Sequence, residues 1–309
     1  MVDLIVKLKE HIRTVVQISF TALTNGYVTG FKNGRIYQGN LKEACVPGLN
    51  CYSCPGALGS CPIGALQAVL GSSNYRFSFY SVGFLFAFGA AVGRFICGWL
   101  CPFGLFQDLL YKIPFYKKIK NLPGHKYLRY LKYIILTVFV IILPLVVVDI
   151  IGQGNPWFCK VICPSGTLMG GWTLTLLNPS LGEALGWLFT WKSFILILII
   201  VLSVISYRPF CKYLCPLGAV YGCFNPISFY RFKVNQKKCT KCKTCQIACP
   251  IEIKVYEKPN SFDCIRCGKC VKECPQHAIK STMDKNNKCE EIKEFSEQNK
   301  NEDTKYKNK

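Results

Sequence analysis

Histidine and acidic residues are both scarce in this chain of 309 residues. The three histidines, His11, His125 and His277, form no pair within one apolar segment. A membrane-embedded haem held between two histidines therefore has no ligands here. Each lone histidine reads as a solvated or interfacial side chain. Asp and Glu number 17 against 38 Lys and Arg, which leaves a net charge of +21. On a soluble protein that excess would point to nucleic acid. Here the basic residues flank apolar blocks, so the charge asymmetry of membrane proteins accounts for it better, and nucleic acid is not an expected partner. The chain also lacks a phosphate-cradling loop and a nucleophile–base constellation, which argues against a self-contained catalyst. No cleavable signal is expected, because the N-terminus stays charged up to Arg13 and no small-residue cleavage site follows.

What the chain has in quantity is apolar residues, half of the total, and cysteine, 20 in all. The apolar residues gather in blocks long enough for a bilayer, which takes about 20 residues of helix. Four spans are expected, over about 14–31, 77–96, 131–151 and 187–207. The segments before the first span, between the second and third, and after the fourth are rich in Lys and Arg, including Lys112, Lys118, Lys120, Lys126 and Arg129. That bias places both termini in the cytoplasm and the protein in the cytoplasmic (inner) membrane, crossing it several times. The basic segment 112–132 reads as an anchor facing anionic lipid, or as a docking face for an acidic electron carrier. The expected fold is mainly α: a membrane domain over 1–230, a small α+β domain over 231–280, and a polar tail over 281–309 that reads as disordered.

Disulfides do not account for so many cysteines, because a disulfide scaffold belongs to small secreted domains. Metal ligation does. Residues 94–104 read RFICGWLCPFG and residues 208–218 read RPFCKYLCPLG, with Arg, Cys, Leu, Cys, Pro and Gly at matching offsets. The proline after the second cysteine suits the first position of a helix, so that sulfur would stand at a helix N-terminus, where free N–H groups favour a thiolate. The element Cys-Pro-x-Gly occurs four times, from Cys61, Cys101, Cys163 and Cys215. The membrane domain thus reads as two parallel repeats, about 14–110 and 131–225, related by an axis along the membrane normal. That axis would bring the inner cysteines Cys97, Cys101, Cys211 and Cys215 together as one further [4Fe–4S] site. The outer set, Cys51, Cys54, Cys61, Cys159 and Cys163, reads as another cluster site or as disulfides. Arg94 and Arg208 read either as partners of cluster charge or as ordinary membrane anchors. Cys45, Cys223 and Cys289 receive no role.

From Cys239 and from Cys264 the chain twice reads C-x2-C-x2-C-x3-C-P. This is the bacterial two-cluster ferredoxin run, in which the fourth cysteine of each run ligates the other cluster. One [4Fe–4S] cluster is assigned to Cys239, Cys242, Cys245 and Cys274, and the second to Cys264, Cys267, Cys270 and Cys249. Zinc knuckles fit eight cysteines in this order poorly.

With these motifs the chain resembles the polytopic membrane ferredoxins of the NapH, NosR and CcoG type. The resemblance rests on Cys97/Cys101 and Cys211/Cys215, on the spans and on the two ferredoxin runs. It implies electron relay between a cytoplasmic or quinol donor, a cytoplasmic ferredoxin or flavodoxin among the candidates, and a membrane or extracytoplasmic redox partner. An accessory role, reducing a metal or thiol while another respiratory enzyme is assembled, is the other function class it allows. The covalent flavin site of NosR-like proteins is absent, since Ser165–Thr167 lacks the alanine and upstream acid of that motif.

Overall fold

A computed structural model describes residues 2–71, 78–116, 118–149, 153–180 and 186–283. The expected polar tail beyond residue 283, with Cys289, lies outside the described residues. The fold is mostly helical. Helix α1 spans Val2–Thr24 and α2 spans Val28–Asn33. The expected single span over 14–31 is therefore broken. Asn25 donates its Nδ2 back to the Thr21 carbonyl at 3.1 Å, Thr24 Oγ1 donates to Phe20 at 2.9 Å, and the Tyr27 N–H turns to the Gly56 carbonyl. Short polar side chains that bond the preceding turn end a helix in this way.

Helix α3 spans Pro62–Leu70 and the apolar α4 spans Ser78–Val92. Gly93 then takes a positive φ of 51°, which only glycine adopts without strain, and the chain turns into short α5, Phe95–Trp99, and α6, Pro102–Lys112. Helix α7 runs His125–Val146 and widens into a π stretch over Leu136–Ile142 ahead of Pro144. Proline removes one helix N–H and crowds the carbonyl four residues back, and a widened turn relieves both. Helix α8 is Trp157–Val161, and a further helical run opens at Pro164. Helices α9, Trp187–Ile205, α10, Pro209–Tyr213, and α11, Pro216–Phe224, complete the helical part.

Among the described residues, α7 and α9 are the helices long and apolar enough to cross a membrane, and α4 is apolar but shorter. Only 22% of the apolar window of α7 and 17% of that of α9 is buried inside the protein. Water penalises so much exposed hydrocarbon at about 25 cal/mol per Å², whereas lipid does not. The exposed faces of both helices thus support membrane association.

The core between these helices is continuous and contains the cysteine of every Cys-Pro-x-Gly element: Cys61, Cys101, Cys163 and Cys215 pack with Ile63, Phe103, Phe158, Phe210 and Tyr221. The edge of Phe103 meets Phe210 at 5.2 Å between ring centres, joining α6 to α10. Such a pair adds about 0.5–1.5 kcal/mol beyond area burial. The C-terminal part is small: β1, Phe232–Val234, pairs antiparallel with β2, Ile279–Ser281, with Phe232 opposite Ser281, and two one-turn helices carry cysteines between them.

Candidate metal centres

All four Cys-Pro-x-Gly elements fold alike. Cys61, Cys101, Cys163 and Cys215 each precede a helix whose first residue is the proline. In each, the glycine N–H three residues on points at the sulfur: Gly64 to Cys61, Gly104 to Cys101, Gly166 to Cys163 and Gly218 to Cys215. Proline costs nothing at this position, because its missing N–H belongs to the unbonded first turn. The remaining N–H groups of that turn are free to face a negative sulfur.

Cys97 and Cys101 stand beside Cys211 and Cys215, each close enough to sense the charge of others in the set. All four are buried. Burial pushes the Cys211 thiol up to about 11 and raises the other three. Four thiols crowded in a dry site do not ionise unaided, but a coordinated metal deprotonates them outright. The donor set therefore fits a thiolate-held cluster. No three such side chains converge on a single ion among the described residues. A cluster does not require it, since each thiolate takes its own iron.

Two arginines cross-brace the four sulfurs. Arg94, before Cys97, donates Nη2 to the Cys211 carbonyl at 2.9 Å, and Arg208, before Cys211, donates Nη1 to the Cys97 carbonyl. Both are about 1% exposed, so neither is a membrane-surface anchor. Gly218 and Gly104 make room for them: a Cβ would stand 3.0 Å from Arg94 Nη2 and 3.2 Å from Arg208 Nη1. Arg208 pairs with Asp108, which also receives Arg13 at 2.5 Å.

The outer cysteines divide. Cys51, Cys61, Cys159 and Cys163 sense one another's charge and line one cavity of about 450 Å³ together with Asn50, Lys42 and Lys192. Cys54 is absent from that lining, and its charged neighbours are Cys51 and Lys42. All are free thiols. Burial pushes Cys61 and Cys163 up to about 12.

The ferredoxin runs interleave. Cys239, Cys242, Cys245 and Cys274 line one cavity of about 20 Å³, and Cys249, Cys264, Cys267 and Cys270 line another of the same size. The second quartet lies against the membrane part. Arg94 Nη1 reaches the Phe262 carbonyl at 3.0 Å, Trp99 Nε1 reaches that of Arg266 at 3.2 Å, and Arg266 returns to Val92 and Asn225 at 2.8 and 2.6 Å. Asn225 Nδ2 binds the Cys264 carbonyl at 2.8 Å, and Lys132 of α7 pairs with Asp263.

Several residues at these centres carry no cysteine signature. Leu49 directs its N–H at Cys101 while lining the outer cavity, two residues before Cys51. Tyr221 is fully buried, bonds the Pro47 carbonyl at 3.1 Å, and senses Cys97 and Cys101 as well as Cys61. Gln67 and Gln107 each place an amide nitrogen on a sulfur, 3.4 Å from Cys159 and 3.1 Å from Cys211. A longer repeat could have found them: Cys-Pro-x-Gly-x-x-Gln recurs at 61–67 and 101–107, and Phe-Cys-Lys-x-x-Cys-Pro-x-Gly at 158–166 and 210–218.

Helices with exposed apolar faces, joined to a part carrying paired ferredoxin cysteines, define a membrane-associated protein of iron–sulfur type. The comparisons agree. The family described as "4Fe-4S binding domain" matches residues 75–123, 134–179 and 187–235, and that described as "4Fe-4S dicluster domain" matches 231–275. Two uncharacterized proteins of Methanocaldococcus jannaschii, MJ0749 and MJ0750, are 32% and 35% identical over 64% and 61% of this chain, covering 68% and 71% of their own lengths. The ferredoxin-type protein NapH of Haemophilus influenzae is 29% identical over 62% of the chain and 64% of its own length. No solved structure matches. The chain belongs to the family of NapH-like 4Fe-4S membrane ferredoxins. Its broad function is iron–sulfur electron transport.

Proposed function

We propose that the chain is a multi-pass membrane wire with four [4Fe–4S] centres, passing electrons between a cytoplasmic or quinol donor and a redox partner at or beyond the membrane. The ligand sets are Cys239, Cys242, Cys245 and Cys274; Cys249, Cys264, Cys267 and Cys270; Cys97, Cys101, Cys211 and Cys215; and Cys51, Cys61, Cys159 and Cys163. Clusters bound there would supply reversible one-electron chemistry. The membrane part, 1–230, carries two repeats that each contribute half of the inner and half of the outer set. The ferredoxin part, 231–280, holds the first two sets.

The observation that carries this reading is contact between successive quartets. Backbone from Phe262 to Arg266 lies on Arg94 and Trp99, so the second ferredoxin quartet abuts the inner one. Leu49 touches Cys101, and Cys51 follows it with only Asn50 between, a reach of about 7 Å at full extension. A set of clusters serving only as structural staples has no need of this continuity. The cross-brace of Arg94 and Arg208 gives the inner centre fixed positive charge on two sides, which suits an anionic thiolate cluster.

The test is iron content in anaerobically prepared protein. About sixteen iron atoms per chain are expected, against about eight for the ferredoxin part alone. Cys101→Ser and Cys215→Ser should each remove the same four-iron increment, and combining them should remove no more. Cys51→Ser should remove a different increment, and Cys54→Ser none. Iron that stays near eight in the wild-type chain sinks the reading.

A further inference from the structure

We propose that Gln107 and Gln67 set the reduction potentials of the inner and outer centres by donating N–H···S hydrogen bonds, Gln107 to Cys211 and Gln67 to Cys159. The inference rests on the four-centre reading above and adds a tuning role that the cysteine pattern does not contain.

The two glutamines occupy the same place in two copies of one design. Each sits six residues after the cysteine of a Cys-Pro-x-Gly element, in the second turn of the helix which that proline opens. Both are completely buried. Gln107 Oε1 accepts the Phe210 N–H at 3.2 Å, and Gln67 Oε1 accepts the Phe158 N–H at 2.9 Å. In both cases the donor is the residue immediately before the cysteine whose sulfur the amide nitrogen meets. One hydrogen of each Nε2 turns to the carbonyl four residues back, Phe103 at 3.4 Å and Ile63 at 3.2 Å. The other faces the sulfur.

The chain itself fixes the amide orientation. A flipped amide would set oxygen against a thiolate and NH2 against a backbone N–H, losing both contacts. Burying a primary amide with one hydrogen unpaired carries a desolvation penalty. An apolar side chain of similar volume would avoid that penalty but strand the buried Phe210 or Phe158 N–H, so the oxygen of each amide serves the backbone. The second amide hydrogen has the sulfur as its partner in both copies, and that shared N–H···S contact is what the proposal uses.

Hydrogen bonds to the sulfurs are one of the levers that set iron–sulfur potentials. One-electron reduction adds one negative charge to a centre and breaks no bond. A fixed N–H donor stabilises the more negative form more, so it raises the potential. The shorter contact at Cys211 predicts the larger effect at the inner centre.

The experiment is a potentiometric titration of the full-length, anaerobically purified protein followed by electron paramagnetic resonance, with iron measured on the same samples. Gln107→Met and Gln107→Leu remove the donor while keeping apolar bulk. Each is expected to hold wild-type iron and to move one midpoint negative by about tenfold in the one-electron equilibrium, which is about 59 mV. Gln67→Met should move a different signal, and by less. The signals of the ferredoxin quartets should stay in place. Unchanged midpoints at full iron content overturn the tuning role and leave the four-centre reading intact. Loss of one four-iron increment in both Gln107 variants also overturns it, because the glutamine then builds the site instead of tuning it. Wild-type protein with only about eight iron atoms overturns both inferences together.

Discussion

Asp108 receives two arginines from distant parts of the chain, Arg208 through Nε at 2.7 Å and Arg13 through Nη2 at 2.5 Å. Burial alone would raise its carboxyl, but Arg208 and then Arg13 outweigh that and hold it below the usual carboxylate range. A group depressed in the folded state adds stability above its unfolded pKa, about 3.9, and loses it as pH falls through the folded value. This contribution is therefore complete at neutral pH and is lost as pH falls below the unfolded value and through the folded one. Asp108→Asn would leave Arg208 buried without its counter-charge, a change worth about 3–5 kcal/mol in comparable buried pairs. Lower thermal stability is expected at pH 7, with the difference from wild type shrinking toward pH 3. An unchanged melting temperature at pH 7 would show that the pair is not integral to the fold.

At the same scale, cysteine spacing groups the two ferredoxin quartets and the inner four in the sequence, but it leaves Cys54 with the outer set, from which the cavity lining separates it, and it says nothing of the supporting residues. Thiol spacing is local: C-x3-C-P and C-x2-C-x2-C-x3-C-P each lie within about a dozen residues. Asp108 and Arg208 are 100 residues apart, and Gln107 and Cys211 are 104 apart. Nothing near Asp108 announces Arg208, and the glutamines show only once the repeat is read past the cysteines, as Cys-Pro-x-Gly-x-x-Gln. The charges of Arg94 and Arg208 suggested membrane anchors as readily as site residues, and only their burial, each against a cysteine more than 100 residues away, decides between the two.

Among elements, the short helices opened by Cys-Pro follow directly from proline's fixed φ and missing N–H, so they could be anticipated. The break after α1 was harder to place, because Thr24, Asn25 and Gly26 sit inside an otherwise apolar stretch. Side-chain bonds to the preceding turn end the helix there, and apolar content alone does not register them. Short α5 also has a role that hydropathy does not reveal. Gly98 on α5 lies flat against the Ile265 carbonyl, where a Cβ would collide with it, and a Cβ on Gly222 of α11 would stand 2.7 Å from the Phe262 carbonyl. Two glycines thus let the ferredoxin backbone sit directly on the membrane part. Gly98→Ala should loosen that seat without touching a ligand. The expected outcome is faster proteolysis between the two parts and slower electron exchange between the ferredoxin clusters and the proposed inner centre, at unchanged iron content. Wild-type proteolysis and transfer rates in Gly98→Ala would show that the close approach is dispensable.

Across the whole molecule, the contacts of the ferredoxin part define one side. It touches the end of α4 through Val92 and Arg94, the beginning of α7 through Lys132, and the loop after α6 through Lys120, which bonds the Ile247 carbonyl at 2.9 Å. Residue 119 bridges to Ser206 just after α9. The last turn of α4, the first turns of α7 and the last turn of α9 therefore face the same way, as they must if these helices alternate in direction through a bilayer. Lys112, Lys118, Lys120, Lys126 and Arg129 gather on that side, where positive charge marks the cytoplasm. Gly71 and Gly154, which meet between α3 and the far end of α7, belong to the opposite side. This arrangement supports the proposed topology, in which the ferredoxin part lies inside and the segment around the exposed Gln38 outside. A reporter enzyme active only in the cytoplasm, fused at the C-terminus, should be active in cells. An epitope inserted after the exposed Gln38 should be reached by antibody from the outer face of sealed membranes. Labelling only after permeabilisation would place both cysteine centres of the membrane part on one side of the lipid, and a wire crossing the membrane would no longer be tenable.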